Sequence, residues 1–302
     1  MTTLDAIARE LLTLIGQPGY FPTDVAGVTL MRADQSLPAA PVLQEPTMVV
    51  LGQGMKRGYL GDEVMRYRPG QCLLVAVPMH FNCDTVVEDG HPMLAVSVTV
   101  DMDIVRELLS KMKPPGPGGS EVSGRGMVVT DLDASAVDTL LRLLKVLAAP
   151  EDAKILGQQL VRELHYRILK SPGGEILRAI VAWHGRSGAI YRACERIRLD
   201  YAKDLDVGTL ASEAAMSTSA FHHAFKLVTG ASPIQYIKAT RLQRAHELIK
   251  LGRLGVAPAA YQVGYASASQ FSREFKRMFG YPPAEARHHG QDCVEAGAAG
   301  LG

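Results

Sequence analysis

Two segments near the C-terminal end of this 302-residue chain repeat one pattern at a distance of about fifty residues. The first runs from Leu210 to Lys226, the second from Ala259 to Lys276. Each reads as a short apolar helix, a tight turn, a serine placed to cap a second helix (Ser217, Ser267), and that second helix carrying Phe-x-x-x-Phe-Lys. Each copy then meets a glycine and, soon after, a proline: Gly230 and Pro233, Gly280 and Pro282. One helical hairpin is common and says little. Two in tandem with matching offsets point to paired helix-turn-helix units, and so to sequence-specific binding of DNA.

Helical spacing sorts the residues of each unit. Phe221 and Phe225 lie four apart and share an inward face, as do Phe271 and Phe275. Ser219, His222, His223 and Lys226 then point outward in the first unit; Ala268, Ser269, Gln270 and Arg273 do so in the second, followed by Lys276 and Arg277. Base edges are expected to meet Ser219, His222, His223, Ala268, Ser269, Gln270 and Arg273. Phosphates are expected at Lys226, Lys276 and Arg277. Arg273 can grip guanine and Gln270 adenine, each for about 1–3 kcal/mol of discrimination, whereas Ala268 could only touch a thymine methyl. A helix from Pro233 to about Ile249 separates the copies, and its Lys238, Arg241 and Arg244 would add contacts to the DNA backbone. At 1.5 Å per residue it spans about 25 Å. A spacer of that order can hold two reading helices in successive major grooves, about 34 Å apart. A plain helical bundle would share the Leu and Phe spacing but not the duplicated caps and endings. Adjacent His222 and His223 diverge by about 100° on a helix and make a poor metal pair.

The charge distribution agrees. The net charge is only +1, but residues 1–150 carry about five more acids than bases and residues 205–290 about five more bases than acids. The basic end is the one with the repeated motif, as phosphate binding requires.

The rest of the chain is organised differently. Leu4, Ile7, Ala8, Leu11, Leu12 and Ile15 predict a first helix. Between residues 20 and 100, short apolar runs (Val25–Met31, Thr47–Leu51, Cys72–Val77, Leu94–Val100) alternate with Pro and Gly and predict a small antiparallel barrel. Asp101 opens a helix that must stop at the Pro/Gly run from Lys113 to Gly119, expected as an exposed loop. A helix over Ala134–Ala148 has an apolar stripe (Val137, Leu140, Leu141, Leu144, Leu147) wide enough to pack on the barrel and also meet a partner subunit, although covering the barrel alone would use it too. Helices are expected over Ile155–Leu169, Glu175–His184 and Ala189–Leu199. The fold class is therefore α+β: 1–150 a barrel with flanking helices, 151–204 a helical connector, 205–290 the two helix-turn-helix units joined by a long helix, and 291–302 a flexible tail. Four cysteines (Cys72, Cys83, Cys194, Cys293) show no metal-ligand spacing and suit free thiols in a reducing cytoplasm. The start of the chain lacks the pattern of a signal peptide, and no apolar run is long enough for a membrane span.

The residues over 205–287 resemble the AraC/XylS family of bacterial transcription regulators. The likeness is carried by Met216-Ser217-x-Ser219-x-Phe221-His222, Phe225-Lys226, Thr229-Gly230, Ser232-Pro233, Tyr236, Arg241-Leu242, Ala245, Val263-Gly264-Tyr265, Ser267, Ser269-Gln270-Phe271-Ser272-Arg273, Phe275-Lys276 and Phe279-Gly280-x-Pro282. The N-terminal half is similar to the branch with an AraC-type regulator N-terminal domain, through Glu45-Pro46, Gln53-Gly54-x-Lys56, Leu60-Gly61, Tyr67, Leu73-Leu74-Val75 and Pro78. The resemblance implies a cupin-like effector and dimerisation domain ahead of the DNA-binding units, a homodimer, promoter DNA as partner and contact with RNA polymerase. It places base reading on the same residues as the helix geometry. Two departures stand out. Pro258 falls in the opening helix of the second unit, tolerable only in its first turn. His223 stands where the family very often has Arg, so contact there is expected to be weak and pH-dependent.

A barrel of this kind can enclose one small effector. Gln53, Lys56, Tyr67, His80 and Cys83 are its candidate lining, against the plainer reading of ordinary packing; Cys72 and Cys83 could sense oxidants but read better as small buried residues. Two other functions compete: a ligand-independent regulator whose N-terminal half only dimerises, and a metal-dependent cupin enzyme. The second needs clustered His and a carboxylate, and His80 and His91 stand isolated, so no metal, cofactor or catalytic residue is expected.

Overall fold

The computed structural model describes residues 3–88, 90–113, 125–181 and 186–287. The expected loop from Pro114 onward, the end of the helix expected to reach His184, Cys293 and the expected tail 291–302 lie outside the described residues.

Helix α1 (Thr3–Leu14) buries Ile7 and Leu11 and leads into nine strands: β1 (Gly19–Pro22), β2 (Val28–Ala33), β3 (Leu37–Gln44), β4 (Thr47–Gln53), β5 (Met55–Leu60), β6 (Glu63–Tyr67), β7 (Gln71–Val75), β8 (Met79–Val86) and β9 (Met93–Thr99). After α2 (Met102–Lys111) the chain returns as β10 (Met127–Asp131). The strands form two antiparallel sheets, in the orders β1-β2-β9-β4-β7-β10 and β3-β8-β5-β6. Residues paired across strands share a face. Lys56 lies opposite Tyr67 and Thr85, and Gly58 opposite Cys83. A Cβ on Gly58 would meet Phe81 and, across from it, Met127 of the larger sheet, so this face is the barrel interior.

Helices α3 (Ala134–Leu147), α4 (Pro150–Lys170), α5 (Gly174–Val181) and α6 (Arg186–Asp200) come next. Asp101 caps α2 through the amides of Asp103 and Ile104, Asp133 caps α3 through that of Ala136, and Pro150 opens α4. Buried His165 on α4 ties the layers together: its Nε2 accepts from the Asp101 amide at 3.0 Å while Nδ1–H donates to the Val161 carbonyl at 2.8 Å. Burial lowers its pKa, which keeps the ring neutral for that double role. On α3, Val137, Leu140, Leu143 and Leu144 are buried where the helix packs on α1 and α4, while Leu141 and Leu147 of the expected stripe are only partly buried. No helix among the described residues is long and apolar enough to cross a membrane.

The C-terminal part contains α7 (Val207–Glu213), α8 (Thr218–Thr229), α9 (Pro233–Lys250), α10 (Val256–Gln262) and α11 (Ala268–Phe279). Its two halves are buried differently. Leu210, Ala211, Phe221, Phe225, Val228, Tyr236 and Ile237 belong to the same continuous apolar core as the barrel. Leu242, Ala245, Ile249, Ala259, Ala260, Val263, Tyr265, Phe271 and Phe275 form a second, smaller core. The first helix-turn-helix unit is thus fused to the N-terminal half, and the second keeps its own small core around the far end of α9, where α11 also reaches β3.

The fusion is a polar as well as an apolar joint. The Tyr236 hydroxyl donates to the Pro78 carbonyl at 2.7 Å, and the Gly126 amide donates to the Val228 carbonyl at 2.8 Å. Thr240 gives its hydroxyl proton to the Tyr236 carbonyl, which leaves its oxygen to accept from His80 Nε2–H at 3.0 Å. His80 also meets the Tyr236 ring edge-on at 5.0 Å. Burial and the nearby Arg244 push the His80 imidazole down to about 3, so it is neutral here. At the end of the joint Arg244 approaches Glu45 at 3.6 Å and Glu247 at 3.1 Å. Burial raises the Glu45 carboxyl against the pull of Arg198 and Arg244.

Candidate nucleic-acid interface

The two units are built alike from their sequences upward. Ser217 Oγ accepts from the Ala220 amide and Ser267 Oγ from the Gln270 amide, both at 3.3 Å, so the expected serines do cap α8 and α11. Each reading helix ends on a left-handed glycine, Gly230 at φ 75° and Gly280 at φ 86°. The rings of Phe221 and Phe225 meet tilted at 5.4 Å and those of Phe271 and Phe275 at 5.5 Å, all fully buried. Ser232 and Gln235 form a capping box at the start of α9. Pro258 sits in the first turn of α10, where its missing amide proton costs nothing. The turns also correspond: Ala215 and Gly264 both take a positive φ, at 53° and 88°.

The outward faces stand open. Ser219, His223 and Lys226 on α8 and Ser269, Gln270, Arg273, Lys276 and Arg277 on α11 are exposed, while His222 and Ala268 are half-buried. Three cations expected on phosphates also have partners within the chain. Arg241 spends its guanidinium on three backbone carbonyls, those of Tyr201 (2.7 Å), Gly264 (3.2 Å) and Lys203 (2.8 Å), binding the end of α6 to the turn of the second unit. Arg244 belongs to the joint with Glu45 and Glu247. Lys238 pairs with Glu274 at 3.0 Å. They help build the frame that presents α11, and of the cations expected to meet DNA those that are exposed are Lys226, Arg273, Lys276 and Arg277. Sequence periodicity could not separate the two groups, because the partners of Arg241 lie in the turns after α6 and between α10 and α11.

The residues expected to line an effector pocket separate into three places. Lys56, Tyr67 and Cys83 share the barrel's inner face, where Lys56 Nζ donates to Thr85 Oγ1 at 3.2 Å. Gln53 lines a cleft of about 450 Å³ with Leu4, Asp5, Met55, Arg68 and Glu88, beside α1. His80 alternates to the outer face of β8 and lies in the joint with α9, away from the interior. Burial pushes the Cys72 thiol up to about 12 and raises those of Cys83 and Cys194, as fits packed rather than reactive sulfurs.

A small barrel fused to the first of two helix-turn-helix units, each with a polar helix facing outward, defines a class of DNA-binding regulator. Residues 24–176 match the family described as AraC-type transcriptional regulator N-terminus, and residues 210–289 match a helix-turn-helix domain. The chain belongs to the AraC-type transcriptional regulators, and the reading of its barrel as a metal-dependent enzyme falls with that. It is 26% identical over 154 residues to the HTH-type transcriptional regulator ExsA of Pseudomonas aeruginosa, covering 50% of this chain and 54% of that one. It is 41% identical over 81 residues to the RCS-specific HTH-type transcriptional activator RclR of Escherichia coli, covering 27% and 28%. The chain spans about 30–62% of the length of the first curated relatives it matches. In fold it is similar to wild-type ToxT of Vibrio cholerae solved with a bound unsaturated fatty acid, with a TM-score of 0.59 at 12% identity over 89% of this chain and 97% of that one.

Proposed function

We propose that this chain regulates transcription by inserting α8 and α11 into DNA as a pair. The observation that carries this reading is the duplication of an exposed polar face on two helices whose caps, aromatic anchors and glycine ends correspond one to one. Ser219, His222 and His223 on α8 and Ala268, Ser269, Gln270 and Arg273 on α11 read bases; Lys226, Lys276 and Arg277 hold phosphates. Arg273 has the reach and the planar fork to take a guanine edge. Arg273→Ala is expected to weaken binding to the preferred duplex by about 1–3 kcal/mol and to relax preference at one base pair. Selection from a randomised duplex library followed by titration measures both. Full affinity and an unchanged preference would remove Arg273 from the reading set.

We further propose that a small molecule bound by the N-terminal half controls this activity. The likeness of the fold to a regulator solved with a fatty acid supports it, as does a lysine set on the inner wall of an apolar barrel, opposite Tyr67 and Thr85. A carboxylate-bearing amphiphile matches that wall. A long-chain unsaturated fatty acid at about 100 times its Kd would add about 2.7 kcal/mol to stability and raise Tm by several degrees. Lys56→Met should lose most of that shift. Equal shifts in both proteins, or none in either, would leave the ligand-independent regulator as the better account. Homodimerisation and contact with RNA polymerase belong to the same proposal, supported by family resemblance; promoter DNA in the cytoplasm is the expected setting.

A further inference from the structure

The second reading helix carries an acid where a DNA-binding surface would be expected to avoid one. Glu274 sits one turn beyond Gln270 on α11, its side chain 13% exposed. Its carboxylate collects three donors from three places: Lys238 Nζ from α9 at 3.0 Å, the Tyr265 hydroxyl from the turn at 2.8 Å, and Gln270 Nε2 from its own helix at 3.3 Å. Burial pushes the carboxyl up, but the hydrogen bonds from Lys238, Tyr265 and Gln270 outweigh it and hold the group below the usual carboxylate range. Glu274 is therefore ionised, and an ionised carboxylate can only accept.

That restriction fixes the amide of Gln270. Its nitrogen must face Glu274, because turning the amide over would set two acceptors against each other. The carbonyl oxygen and the second N–H remain for a partner outside, side by side on an exposed residue. Adenine offers the match, with an amine donor at N6 and an acceptor at N7; guanine offers two acceptors and would need two donors. We propose that Glu274 is a positioning residue that locks Gln270 as an adenine reader, with Lys238 and Tyr265 holding the acid in place and masking its charge. This rests on the proposal above that α11 reads bases, and it assigns both the base and the residue that selects it.

The test is selection of the full-length chain on a randomised duplex library, with the bound pool sequenced for wild type, Gln270→Ala, Glu274→Gln and Glu274→Asp. Wild type should show adenine at one position that Gln270→Ala alone erases. Glu274→Gln, whose amide no longer dictates the orientation of its neighbour, should cut adenine preference there at least about fivefold and admit guanine, with the other positions unchanged. Glu274→Asp keeps the charge near Lys238 but withdraws it by one methylene, and should relax the same position. Full adenine preference in both Glu274 variants, with its loss in Gln270→Ala, would overturn the positioning role and leave base reading intact. So would a uniform loss at all positions in both Glu274 variants, which marks a purely structural acid. Guanine at the Gln270-dependent position in wild type would overturn the assignment of the base. No change anywhere in Gln270→Ala would overturn the inference together with the reading it rests on.

Discussion

Phe271→Ala is expected to melt the second helix-turn-helix unit while the barrel stays folded. Phe271 is fully buried, packed edge-on against Tyr265 at 5.4 Å and against Phe275 at 5.5 Å, in the smaller of the two cores. Removing a buried phenyl ring costs about 3–5 kcal/mol in transfer and cavity energy. A cluster of this size has little more than that to lose, so the damage should stay local. Phe225→Ala makes the same chemical change at the corresponding position of the first unit. Phe225 packs on Tyr236 at 5.3 Å, and Tyr236 is bonded to the barrel through Pro78. There the cost should be spread over the whole N-terminal body and lower its melting temperature. Amide exchange distinguishes the two: Phe271→Ala should lose protection across α10 and α11 alone, and Phe225→Ala across the barrel as well. The same pattern in both proteins would show that the two cores are not separate.

Gly264→Ala should be nearly as severe for a different reason. The residue sits at φ 88°, where an L side chain is strained by about 1–2 kcal/mol. A Cβ there would also lie 2.6 Å from the Ala202 carbonyl oxygen, a backbone atom that cannot step aside cheaply. Overpacking of this kind adds about 1–3 kcal/mol, and it falls on the turn that Arg241 clamps through the Gly264 carbonyl. The expected result is a loss of about 2–5 kcal/mol, seen as a denaturant midpoint shift of the second unit and a matching fall in DNA affinity. The corresponding residue of the first unit, Ala215, is exposed and already bears a positive φ. The contrast isolates the contact: if Gly264→Ala cost no more than the dihedral strain that Ala215 tolerates, the seam with Ala202 would carry no energy.

Much of this architecture was legible in the amino-acid order. The serine caps, the phenylalanine pairs and the glycine ends act within a few residues of chain, so spacing alone reports them. The strands that read clearly, such as β4, β7 and β9, are those buried heavily enough to show apolar runs. Strands β5 and β6 did not, because Lys56 faces inward while Tyr59 and Val64 face outward, which blurs the alternation. The joint was illegible for a deeper reason. His80 meets Thr240, and Tyr236 meets Pro78, across about 160 residues, and one polar contact of that range leaves no periodic trace. The same holds for Arg241 and Lys238. As basic residues on a DNA-binding segment they read as phosphate contacts, and only the three-dimensional placement of Tyr201, Lys203 and Glu274 shows that they also bind parts of the protein to one another.

The DNA-reading account of this chain depends on α8 and α11 entering DNA together. Hydroxyl-radical footprinting of the full-length chain on its selected duplex measures that directly. Two protected blocks are expected on one face of the helix, about one turn apart, with Phe271→Ala erasing the block of α11 and sparing that of α8. A single block, or two blocks that both survive Phe271→Ala, would contradict paired entry.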